Sequence, residues 1–106
     1  MKKLFTFLFA VLLSTTFLSA QNLTFVPDDN FENYLEANGM GDGIALNDSV
    51  LTSNINSVVS LDLSNKGISD LSGIEGFASL DSLNVFNNGL TTLDLTSNLN
   101  LQTLDC

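Results

Sequence analysis

The sequence predicts a solenoid, in which short parallel strands stack on one face behind an N-terminal helical cap and irregular arms form the opposite side. Three observations predict it. Apolar residues recur at a fixed long spacing through the C-terminal half. The segment before them carries a single amphipathic helical pattern instead. The only cysteine among 106 residues is Cys106, so an internal disulfide framework is excluded and stacked apolar coils must hold the fold.

The spacing comes first, because a period of twenty or more residues decides the architecture. Leu80-x-x-Leu83-x-Val85-x-x-Asn88-x-Leu90 restarts 21 residues later as Leu101-x-x-Leu104-x-Cys106. It is preceded at an offset of 22 by Val58-x-x-Leu61-x-Leu63-x-x-Lys66-x-Ile68. This is the leucine-rich-repeat pattern. Residues two apart, such as Leu83 and Val85, point to one side of a strand. Since no coil can bury its own apolar face, coils must stack. The expected ladder is Val59–Ser64, Leu83–Asn87 and Thr103–Cys106, with Asn88 at a bend where its amide reaches backbone groups of adjacent coils. In the first coil Lys66 holds the Asn88 position and Asn65 stands one place early, a loss that a capping neighbour compensates.

Leu90-x-x-Leu93-x-Leu95-x-x-Asn98 imitates the motif half a period later, which leaves half-coils as an alternative. The preceding arm, Ile68-x-x-Leu71-x-x-Ile74-x-x-Phe77, lacks Leu-x-Leu, so the longer period is preferred and these arms are the convex side.

Residues 21–57 form the capping segment. Asp28 or Asp29 starts a helix, Phe31, Tyr34 and Leu35 share its apolar face, and Asn38-Gly39 stops it. That face must lie on the first coil, where an uncovered end would expose strand edges and core. Residues 58–106 hold two complete repeats and a third cut off within its strand, so the chain reads as a fragment whose open C-terminal end promotes self-association.

The first twenty residues read differently. Lys2 and Lys3 precede the apolar run Leu4–Leu13 and the small-residue stretch Ser14–Ala20, the order of a secretory signal peptide cleaved after Ala20. A retained anchor is the alternative, but the run is short of the about 20 apolar residues that a span needs. No Cys follows to carry a lipid. The expectation is a secreted or cell-surface protein with no membrane insertion after cleavage. Losing Lys2 and Lys3 leaves Lys66 alone against twelve carboxylates, a formal net charge of −11 compared with −9 for the whole chain. Such a surface excludes nucleic acid as a partner, because polyanion binding requires Lys or Arg.

Val26-Pro27-Asp28-Asp29-Asn30-Phe31-Glu32, with Asp62-Leu63-Ser64-Asn65-Lys66-Gly67-Ile68 and its continuation through Glu75, resembles exported Bacteroidetes leucine-rich-repeat proteins with internalin-like repeats. The resemblance implies a longer parent, often ending in a type IX sorting tail, and a Cys at the strand's second apolar position, as at Cys106.

Catalysis finds no support. Without His there is no Ser-His-Asp or Cys-His arrangement, and no phosphate loop is present. The loop Asn38–Gly43 with Asn47-Asp48 fails the calcium-loop spacing, since Met40 falls where an oxygen ligand belongs. Neither a metal nor a cofactor is expected. Cys106 sits where Leu63 and Val85 sit and is expected to pack inward. Asp48-Ser49-Val50 and Asp81-Ser82-Leu83 match a short O-glycosylation motif only weakly.

The outward strand positions are the best candidates for function. They form three columns: Ser60, Ser82 and Thr103; Asp62, Asn84 and Asp105; Ser64 and Phe86. The predicted binding residues are Asp62, Ser64, Asn84, Phe86 and Asp105, with Phe86 as the aromatic anchor. The sequence thus points to a non-enzymatic module that recognises a protein or glycan with its concave face. Two alternatives stand beside it: a targeting or spacer arm of an exported enzyme whose catalytic domain lies beyond Cys106, and a purely structural spacer.

Overall fold

The computed structural model describes residues 22–106. The signal-peptide reading of residues 1–20 lies outside them. Two sheets, one α-helix and two single-turn 3-10 helices (Thr52–Asn54 and Ile74–Gly76) are present among the described residues. Strands β1 (Leu23–Phe25) and β2 (Ser49–Leu51) pair antiparallel, with Thr24 opposite Val50. Helix α1 (Asp29–Ala37) lies between them in the chain. Strands β3 (Ser60–Asp62), β4 (Ser82–Asn84) and β5 (Thr103–Asp105) form a parallel sheet in that order. No helix among the described residues is long and apolar enough to cross a membrane.

The helix begins and ends where its sequence dictates. Asp28 is the N-cap: its Oδ1 accepts the N–H groups of Asn30 and Phe31, both at 3.0 Å. Asn38 closes the helix and Gly39 follows with φ of 75°, a left-handed position that glycine takes without strain. Phe31 and Leu35 are fully buried, while Tyr34 packs at the edge of the same cluster. The Phe31 ring stacks on Phe77 of the first back arm, with centroids 6.3 Å apart. Burying the two rings joins the cap and the repeats in one core.

The parallel sheet has the predicted register. Leu61 lies beside Leu83, and Leu83 beside Leu104. The regular strands are three residues each, shorter than the expected Val59–Ser64 and Leu83–Asn87, and β5 ends at Asp105, before Cys106. Single backbone bonds carry the pairing further: Asp81 donates to Val59, Leu63 to Asn84, Val85 to Asp105 and Asn65 to Phe86. Beyond the regular strands the backbone turns out of plane, and Asn65 and Asn87 both take left-handed φ, 57° and 58°. Asn65 is therefore not a displaced Asn88. It is the counterpart of Asn87, whose side-chain amide donates to the Asn65 side-chain carbonyl at 2.6 Å.

Asn88 does what its position requires. Its Oδ1 accepts from the N–H groups of Lys66 and Ile68, and its Nδ2 donates to the carbonyls of Leu63 and Val85. One side chain satisfies four backbone groups across two coils. At Lys66 no earlier coil offers such groups, and the cap replaces the ladder. Asp28 Oδ2 accepts from Ser69 and Asp70, and Asn30 Nδ2 donates to the Gly67 carbonyl. The Lys66 ammonium sits 5.3 Å from the centre of the Tyr34 ring, a cation–π contact.

The back arms carry no strand, so the half-coil alternative fails among the described residues. Ile68, Leu71, Ile74 and Phe77 are all buried. Asn98 is buried too, donating to the carbonyls of Ile74 and Phe77 in the preceding arm. It is a second ladder amide, placed behind the core, not the mark of an extra coil.

Candidate functional site

The register aligns the outward residues in columns. Ser60, Ser82 and Thr103 are mutual partners, as are Asp62, Asn84 and Asp105. Ser64 and Phe86 extend the face, tied by the bond from the Asn65 N–H to the Phe86 carbonyl at 3.0 Å. All five predicted binding residues thus share one sheet face. Asp62, Asp105 and Phe86 are exposed, while Ser64 and Asn84 are half-buried. Phe86 leaves 54% of its surface in solvent, beside inward neighbours Leu83 and Val85 that leave almost none.

The same local turn shapes two of these coils. Asp62 Oδ1 accepts from the Ser64 hydroxyl at 2.7 Å and from the Ser64 N–H at 3.0 Å. Asn84 Oδ1 accepts from the Phe86 N–H at 2.9 Å. The Ser64 hydroxyl, then its N–H, then the charge of Lys66 hold the Asp62 carboxyl below the ordinary aspartate range. Asp62 is therefore an anion with one oxygen free of intramolecular partners at Oδ2 among the bonds formed. Lys66 is the one cation among the described residues, and it is engaged over Tyr34.

Sequence reasoning missed a cleft of about 330 Å³ between the back arms. Asp70, Glu75 and Asp94 bring carboxylates to it, Ser72, Thr92 and Ser97 hydroxyls, and Leu71, Ile74 and Leu93 an apolar floor. The available signal was the spacing: Asp70 and Thr92 stand one 22-residue period apart. Asp70 and Asp94 each repeat the Asp62 turn, accepting from Ser72 and Thr96 respectively.

The cap contains a buried carboxylate that periodicity also concealed. Glu32 is fully buried, and its two oxygens accept from the N–H groups of Asn47 and Asp48. Asp29, Glu32 and Asp48 bring one oxygen each within 4.8 Å of one another. With both Glu32 oxygens already occupied by backbone donors, this cluster is accounted for as a clasp between α1 and the loop before β2. A second clasp forms at Glu36, which accepts from Asp42 and Gly43. These bonds order the loop in which the sequence offered no calcium-binding pattern.

Cys106 departs from expectation. It was expected to pack inward like Leu63 and Val85, yet it is exposed. Among the described residues no further coil lies over that end of the sheet, so the inward-facing position has nothing to pack beneath.

Comparison with solved structures agrees with this geometry. The functional domain of InlJ from Listeria monocytogenes, which includes a cysteine ladder, is 32% identical over 76% of this chain, with a TM-score of 0.61. The fold is leucine-rich-repeat-like. The structure of the CBM51-2 and INT domains of Clostridium perfringens ZmpB matches 78% of the chain at 25% identity, with a TM-score of 0.64. The chain spans 18% and 17% of the lengths of these two structures. No protein-family model and no curated protein matches the chain.

Proposed function

We propose that the chain is part of an exported, non-enzymatic recognition module, a leucine-rich-repeat solenoid whose concave face is the β3–β4–β5 sheet. One observation carries the reading. Two in-register columns present carboxylate, amide and hydroxyl groups on one face of the sheet, with Ser64 and an exposed Phe86 just beyond them. Solenoids use such extended faces for binding, and a half-exposed Phe framed by polar groups is the type of residue on which interfaces centre. Export rests on the basic, apolar and small-residue order of residues 1–20, and the Bacteroidetes origin on the sequence resemblance alone. Bacterial structures of similar fold support a module of this kind.

The test compares partners retained by the immobilised full chain and by a variant carrying Phe86→Ala with Asp62→Lys. A control variant carries Asp70→Asn with Asp94→Asn on the opposite side. The expected result is loss of bound partners with the first variant and retention with the control. An identical partner profile for all three proteins would overturn the reading.

A further inference from the structure

We infer that the partner of this face is a cationic, extended protein segment, with basic side chains at about every third residue. The inference rests on the concave-face reading above and adds the chemistry of what binds there.

Charge supplies the first argument. The face carries Asp62 and Asp105 in one column and no cation in any column. Lys66, at its margin, is held over the Tyr34 ring of the cap. The sequence contains no other Lys or Arg beyond Lys2 and Lys3. The net field over the sheet is therefore negative, offset only at its margin by Lys66, and an incoming anionic partner meets repulsion across most of the face. A neutral glycan gains nothing from that field, whereas a basic segment is both steered and held by it.

Spacing supplies the second. Asp62 and Asp105 flank Asn84 in register, two strand separations apart, which is about 10 Å at the usual strand spacing. A polyproline II segment rises about 3.1 Å per residue with three residues per turn. Side chains three apart therefore lie on one edge, about 9 Å from one another. Such a segment, crossing the strands, sets one basic group at Asp62 and the next at Asp105. An extended β segment places same-side residues only about 7 Å apart and matches less well.

The aromatic supplies the third. Phe86 follows Asn84 by two residues, just past the end of β4, and its ring is exposed beside the sheet. Its exposed ring accepts a guanidinium over its face or the ring of a proline from the same segment. Asn84, with Oδ1 bonded to the Phe86 N–H, keeps its amide hydrogens for a carbonyl of the crossing backbone.

The experiment measures binding of the full chain to a synthetic Arg-Pro-Pro repeat peptide by fluorescence anisotropy, at low and high salt. Parallel probes are the same peptide with Glu in place of Arg, and a neutral hexasaccharide. The Arg peptide is expected to bind, and to bind more weakly as salt rises. The pair Asp62→Asn and Asp105→Asn should weaken it roughly tenfold, the scale of two exposed ion pairs. Asn keeps the Oδ1 acceptor that shapes the Asp62 turn, so the fold is retained. Phe86→Ala should weaken binding as well. The pair Asp70→Asn and Asp94→Asn removes the same charge from the opposite side and should leave binding unchanged. Equal weakening by both Asn pairs means indiscriminate polycation binding and overturns the inference, as does failure of the Arg peptide to bind. Hexasaccharide binding that depends on Phe86 overturns the cationic partner and leaves the concave-face reading standing. Partner capture insensitive to every substitution on the face removes both.

Discussion

Asp28 accepts the backbone N–H of Ser69 through Oδ2 at 2.9 Å, across 41 residues of chain, while its Oδ1 caps its own helix. One carboxylate thus starts α1 and fixes it to the first back arm. Asp28→Ala should lose both functions at once. The expected cost is about 1–2 kcal/mol, chiefly the helix cap, because the N–H groups of the exposed Ser69 and Asp70 regain water. Asp28→Asn, which keeps one acceptor oxygen, should lose about half as much. Urea denaturation of the three proteins checks this, and equal midpoints for Asp28→Ala and the parent would contradict it.

Asn88→Ala tests the ladder itself. The substitution strands the N–H groups of Lys66 and Ile68 and the carbonyls of Leu63 and Val85. About 2–4 kcal/mol of stability should go, because several of these groups are shielded from water. Asn88→Asp should fall between, since it accepts from Lys66 and Ile68 but cannot donate. Lys66→Ala, at the corresponding place one coil earlier, should cost well under half of the Asn88→Ala loss, because the Lys66 side chain carries only the contact with Tyr34 and a weak attraction to the exposed Asp62. Thermal and chemical unfolding of the three variants would show whether that order holds.

The contrast between Asn88 and Lys66 also shows what the sequence exposes and what it hides. The β3–β4–β5 register was legible because Leu61, Leu83 and Leu104 recur at a fixed offset and stacking gives that offset a physical meaning. The outward columns followed from the same alternation. Helix α1 was legible from Phe31 and Leu35 on one face and from Asp28 at its start. The β1–β2 pair was not. Its strands are three residues each, too short for a period, and Leu23 and Phe25 point outward at 59% and 62% exposure. Glu32 was hidden for a different reason. An acid in a helix's first turn ordinarily faces water and favours the dipole, and only the loop at Asn47 and Asp48 makes it a buried acceptor. Asp28 was legible as a cap but not as a link, since its second partners lie an entire segment away.

Gly73 and Gly39 separate backbone strain from crowding. Both take positive φ, 108° and 75°. A Cβ at Gly39 meets nothing within 4 Å, whereas one at Gly73 meets the Val26 Cγ2 at 2.6 Å and the Phe25 carbonyl oxygen at 2.9 Å. Gly39→Ala should therefore cost about 1 kcal/mol, the left-handed penalty alone. Gly73→Ala should cost about 3 kcal/mol, because β1 and the residue after it must also shift. Comparable unfolding midpoints for the two variants would show that the approach of Gly73 to β1 is looser than described.

Acid should loosen the Asp turns in a predictable window. The hydroxyls of Ser64, Ser72 and Thr96 are the chief cause that holds Asp62, Asp70 and Asp94 below the ordinary aspartate range, followed by the N–H groups of the same residues. A folded-state value below the unfolded one stabilises the fold at any pH above the unfolded value of about 3.9. That contribution is lost as pH falls through the folded values, so the turns should be insensitive between neutral pH and about 5 and weaken only below about 4. Carbon NMR titration of the three carboxyls should give midpoints below that of an aspartate in a short peptide. Ser64→Ala should raise the Asp62 midpoint toward it; an unmoved midpoint would remove the hydroxyl as the cause.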